Sequence, residues 1–112
     1  MITAEQLKKK NNNELIQLLN KSVDICEGFK SKLLGYLDKM EKADIEYEQI
    51  LETINKSGSK LNEQDNVNLI LIQNKIEEYS IFIKEYNLKL EKEESNYGTI
   101  LIELDKRVNG TV

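Results

Sequence analysis

Two long runs of apolar residues at alternating three- and four-residue steps, separated by one strong helix breaker, constrain this chain more than anything else in it. In the first run, with heptad position a at Cys26, the a positions are Leu19, Cys26, Leu33, Met40, Tyr47 and Ile54. The d positions are Leu15, Ser22, Phe29, Tyr36, Ala43 and Ile50, of which only Ser22 is polar. Ile16, Val23, Leu37 and Leu51 fall at e and widen the stripe. The second run takes a new heptad phase. Its a positions are Leu69, Ile76, Ile83, Leu90, Tyr97 and Leu104, and its d positions are Ile72, Tyr79, Tyr86, Glu93, Ile100 and Arg107. A stripe of this period is the signature of an amphipathic helix that buries one face.

Between the runs lies Asn55-Lys56-Ser57-Gly58-Ser59-Lys60-Leu61-Asn62. Gly58 suits the left-handed residue that closes a helix. Ser59 or Asn62 suits the cap of the next one, with Asp65 favourably placed in its first turn. Thr3 and Gln6 have capping-box spacing, so the first helix is expected to start at Ala4. Asn13 is a second candidate cap, because Lys8 to Asn13 is polar. The second stripe weakens at Glu93, just before Ser95-Asn96-Tyr97-Gly98, which predicts a break near Gly98 and a short third helix.

The expected fold is all-α: a long antiparallel, coiled-coil-like helical hairpin, with a short C-terminal helix as an optional third element. Its boundaries are helix 1 at about residues 4–55, a connector at about 56–62, helix 2 at about 63–96 and the C-terminal helix at about 99–108, all in one domain. A first helix of that span is roughly 75 Å long and does not persist on propensity alone, so its stripe must be buried against the other. The core of such a hairpin is one layer of side chains, which leaves dimerisation or partner binding to complete it.

Composition excludes much chemistry. There is no His, so an imidazole base, a Ser-His or Cys-His nucleophile and a His-ligated metal are all ruled out. One Cys leaves no intrachain disulfide and no thiolate zinc cluster. Cys26, at an a position, reads as a small core residue. Acidic residues are plentiful, but a di-iron bundle needs Glu-x-x-His, and paired carboxylates for glycoside cleavage need a cleft that a thin hairpin lacks. No enzyme activity and no cofactor are expected. The net charge of −4 argues against nucleic acid and anionic lipid, and Lys8-Lys9-Lys10 is too short a basic run to reverse that. The longest apolar run, Leu69 to Ile72, is far too short to span a bilayer. The first ten residues lack the apolar core of a secretory leader, and a cytoplasmic location is expected.

Candidate binding residues come from a second apolar set on the second run. Val67, Ile81, Leu88 and Ile102 lie at f and Leu71 at c, away from the a/d seam. They suit either packing against a third helix or a symmetry mate, or docking of a client helix. Ile100, Leu101, Ile102, Leu104 and Val108 crowd the C-terminal segment. That segment reads either as a helix that closes the bundle or as a movable cover over a binding surface. Gly28 and Gly35, one heptad apart at c, carry little information. The tyrosines at 36, 47, 79, 86 and 97 all fall at a or d, as amphipathic core.

The layout resembles that of flagellar type III export chaperones of the FliT/FlgN kind. The likeness rests on the long first helix through Leu33-Leu34-Gly35-Tyr36-Leu37-Asp38-Lys39-Met40 and on the polar start Leu61-Asn62-Glu63-Gln64-Asp65. It extends to the second helix from Ile76-Glu77-Glu78-Tyr79 to Glu91-Lys92-Glu93-Glu94, with its break at Tyr97. It covers most of the chain and concerns layout, without a sharp motif. The resemblance implies a cytoplasmic protein that shields an amphipathic helix of a secreted hook- or filament-type subunit, with Ile100, Leu101, Leu104 and Val108 taking part. The alternative is a structural coiled coil, either a homodimer or a subunit of a larger phage or secretion assembly.

Overall fold

The computed structural model describes residues 1–58 and 62–109. It contains α1 (Ala4–Lys8), α2 (Asn12–Ser57) and α3 (Glu63–Asn109), and α2 and α3 pair as the antiparallel hairpin that the two stripes require. Among the described residues there is no strand.

The a and d positions of both stripes point inward: every one of them is buried or half-buried. The e positions do not widen the stripe as expected. Val23 is half-buried, but Ile16, Leu37 and Leu51 are exposed. With only two long helices packed together, the buried strip is narrow, and e lies at its rim.

Local capping explains most of the boundaries. Thr3 and Gln6 form the capping box read from their spacing, with the Gln6 N–H donating to Thr3 Oγ1 and the Thr3 N–H donating to Gln6 Oε1. Gly58 closes α2 in the left-handed conformation, at φ 61°. Asn62 caps α3, its Oδ1 accepting the Asp65 N–H at 2.7 Å. Ser59, the other candidate cap, lies outside the described residues, as does part of the expected connector.

Two expectations are corrected. The first helix does not run unbroken from residue 4. It stops at Lys8, and α2 restarts at Asn12, capped by Asn11 and not by Asn13. Asn11 Oδ1 accepts the Glu14 N–H at 2.8 Å, and Glu14 Oε1 accepts the Asn11 N–H at 3.2 Å, a reciprocal pair of bonds. Heptad phase supplies the physical reason for the bend. Carried back unbroken, the α2 heptad puts Lys8 and Asn12 on the seam and Leu7 at c, facing outward. The bend returns Leu7 to the interior, where it is fully buried.

The second correction concerns Gly98. α3 runs through it without interruption to Asn109, so there is no separate helix at 99–108. A single interior glycine costs only about 1 kcal/mol. Tyr97, Ile100 and Leu104 remain on the seam around and beyond it, and their burial outweighs that cost.

The chain divides into two compact units. The terminal unit comprises Met1–Ser31 with the described part of Tyr86–Val112. Its core is Leu7 from α1, Leu15 from α2 and Ile100 from α3, with Ile2, Leu18, Leu19 and Leu104 packed against it. One heptad beyond Leu15 on α2, Ser22 is buried and its hydroxyl donates to the Glu93 carbonyl at 3.4 Å. One heptad on again, Phe29 meets Tyr86 with ring centroids 6.2 Å apart. The loop unit is Lys32–Glu85. There Tyr36 lies beside Tyr79 and stacks on Phe82 at 4.9 Å, and Gln73 donates to the Tyr47 hydroxyl at 3.0 Å. Ala43, Leu69 and Ile72 are its buried apolar residues among those described.

Candidate docking surface

The residues singled out for partner binding separate into exposed and buried groups. In the terminal unit Leu88, Leu101, Ile102 and Val108 are exposed, Leu88 and Ile102 at 59% each. Ile100 and Leu104 are not available to a partner. Ile100 is fully buried at the centre of the core and Leu104 packs against it. The two d and a residues of the C-terminal segment thus hold the fold together, while the e and f residues beside them face outward. Because this segment is the continuous end of α3, the movable-cover reading loses the hinge it needed at Gly98.

In the loop unit Val67, Leu71 and Ile81 are exposed as expected. Leu34 and Ile45 on α2 and Ile70 on α3 are exposed as well, and sequence reasoning passed over them. The signal was present: Leu34 falls at b and Ile45 at f of the first stripe. Ile70 falls at b of the second stripe, inside the apolar run Leu69 to Ile72.

The terminal unit also contains a polar network centred on Arg107. Arg107, at a d position, sends Nε to Glu103 Oε1 at 3.1 Å and one terminal nitrogen to Asn12 Oδ1 at 3.0 Å. The other terminal nitrogen donates to the Leu7 carbonyl at 3.0 Å and reaches the Lys8 carbonyl at 3.5 Å. Both carbonyls lie at the end of α1, and the guanidinium adds to the bond that the Leu7 carbonyl already accepts from the Lys10 N–H at 3.0 Å. At the other end of the arm, the Ile2 N–H donates to Asn96 Oδ1 at 3.1 Å. Beside α1 runs a cleft of about 630 Å³ lined by Ile2, Leu7, Lys9, Lys10, Glu14, Leu18 and neighbouring residues. A smaller one of about 220 Å³ lies near Ile2, bordered by Leu18, Ser22, Ile25 and Glu93.

Cys26 is buried on the seam, and that burial pushes its thiol above the ordinary value. The carboxylates of Glu93 and Glu94 push the same way, and Lys30 opposes them. A buried thiol kept protonated is a poor nucleophile.

No protein-family model, curated protein or solved structure matches the chain. Among the described residues, no helix is long and apolar enough to cross a membrane. The arrangement consists of side chains that hold a hairpin together and, outside them, apolar side chains that lie off the chain's own seam.

Proposed function

We propose that this chain is a non-enzymatic protein-binding module that shields an amphipathic helix of a partner, in the manner of a cytoplasmic export chaperone for a flagellar hook- or filament-type subunit. One observation carries the reading. Leu88, Leu101, Ile102 and Val108 are exposed on the terminal unit, although the seam beneath them is already filled by the hairpin itself. Leu88 and Ile102 share heptad position f, two heptads apart, which is about 21 Å along a helix axis. A partner helix laid beside α3 would cover both in four turns, burying apolar area that α3 leaves in water. The flagellar assignment of the partner rests on the resemblance in layout.

The test is capture by the tagged protein from a lysate of its source cell, beside the double variant Leu88→Asp/Ile102→Asp. A secreted hook- or filament-type subunit retained at near-equal amount, and absent with the double variant while helicity is kept, supports the reading. Undiminished capture by the variant defeats this surface.

A second reading, a permanent homo-oligomer or a subunit of a larger assembly, is favoured by the loop unit. There exposed apolar side chains occur on both helices: Leu34 and Ile45 on α2, and Val67, Ile70, Leu71 and Ile81 on α3. A dimer that persists on dilution and is broken by Leu71→Asp/Ile81→Asp favours it.

A further inference from the structure

We propose that α1 is an exchangeable arm, and that the surface beneath it on the terminal unit is an interaction site for α1 of a second copy of this chain. The exchanged residue is Leu7. It is one of three fully buried large side chains among the described residues and packs with Leu15 and Ile100, yet it is supplied by a helix of only five residues. The link that bends α1 back is Lys9-Lys10-Asn11, with neither Gly nor Pro. Nothing in Lys8 to Glu14 forbids helix. The bend is held by the reciprocal Asn11–Glu14 bonds and by Arg107, which ties Asn12 to the Leu7 carbonyl.

Straightening the link fuses α1 and α2 into one helix and supplies intrahelical partners for the backbone groups now capped at the link. It also carries Leu7 to heptad position c, off its own seam. The arm then cannot refill the hole it leaves beside Leu15 and Ile100, but it can fill that hole in another copy. Two chains that trade arms rebuild between them the packing that each had alone, which is the condition for exchange of an identical element. The occupant is chosen by fit: the apolar wall formed by Leu15 and Ile100 matches the Leu7 side chain. A cleft of about 630 Å³ runs along α1, lined by residues of the arm itself and by Glu14 and Leu18 of α2.

Sedimentation velocity of the full chain over a concentration series tests this. Asn11→Ala removes the cap that holds the bend. The dimer dissociation constant should fall about tenfold or more, since each dimer releases two caps. Adding Asn12→Pro should restore the monomer, because proline is tolerated at the first residue of α2 but not inside a fused helix. Asn12→Ala removes the same acceptor for Arg107 and should keep the dimer of the Asn11→Ala background. An Asn11→Ala protein that stays monomeric at millimolar concentration overturns the proposal. So does a dimer that survives Asn12→Pro.

Discussion

A terminal nitrogen of Arg107 donates to the backbone carbonyl of Leu7 at 3.0 Å, joining the last turns of α3 to the end of α1. The same guanidinium serves Glu103 and Asn12, so one side chain ties together all three helices of the terminal unit. Its removal takes that ion pair away from the Glu103 carboxylate, which is itself buried. Arg107→Ala is therefore expected to cost about 2 kcal/mol, the scale of charge-assisted hydrogen bonds at a partly buried site. Arg107→Lys should recover only part of this, because an ammonium cannot span the same fork. Urea denaturation of the three proteins measures both differences.

The division between core and surface in the terminal unit has an opposite pair of consequences. Leu7→Ala and Ile100→Ala each empty a fully buried site and should destabilise by about 2–4 kcal/mol. Leu88→Ala and Ile102→Ala, on exposed side chains of the same unit, should change stability by less than about 0.5 kcal/mol. Denaturant midpoints check the contrast. A large destabilisation at Leu88 would mean that it is packed in solution.

Two glycines should respond with opposite signs to alanine. Gly58 has φ 61°, where a Cβ is strained, so Gly58→Ala should cost about 1 kcal/mol. Gly98 lies inside α3 with open space where a Cβ would go, so Gly98→Ala should stabilise by about 0.5–1 kcal/mol. Thermal melts of both variants decide the signs, and a destabilised Gly98→Ala would contradict an unbroken α3.

Cys26 should react with a thiol reagent far more slowly in the native protein than in the unfolded one at mildly alkaline pH. Because folding raises its pKa, the folded state holds the proton more tightly than the unfolded chain does. Its contribution to stability is complete below the ordinary thiol value of 9.0 and fades as pH rises from there through the raised folded value. Denaturation across that range should show stability falling with pH, and the fall should be smaller in Cys26→Ala.

The parts of this structure that could be read in the sequence are those decided by neighbours in the chain or by period. The inward a and d positions, the Thr3–Gln6 box, Gly58 and the Asn62 cap are of this kind. The bend after Lys8 is not, because three consecutive asparagines offer equivalent caps. The choice of Asn11 follows from where Leu7 finds burial. Gly98 misled for the reverse reason: a local weakness was overridden by the burial of Ile100 and Leu104 further along the same seam. The role of Arg107 was hidden because a cation at d reads as a frayed stripe until the carbonyls of α1 arrive beside it. Of the candidate surface, exposure at Leu88 and Ile102 followed from their heptad position.

The layer in which the Ser22 hydroxyl donates to the Glu93 carbonyl pairs two polar side chains of the seam and so marks register. Each helix has a heptad stripe that repeats every seven residues, and a repeating apolar stripe alone is satisfied by sliding one helix a whole heptad past the other. Here the polar d residue of α2 sits opposite Glu93, the acidic d residue of α3. A slip of one heptad in either direction would set Glu93 against Leu15 or against Phe29, and would move Ser22 opposite an apolar or aromatic side chain. The hairpin thus gives up a little apolar packing at one layer, and that layer favours the observed alignment over a slip that would bury Ser22 or Glu93 against an apolar partner.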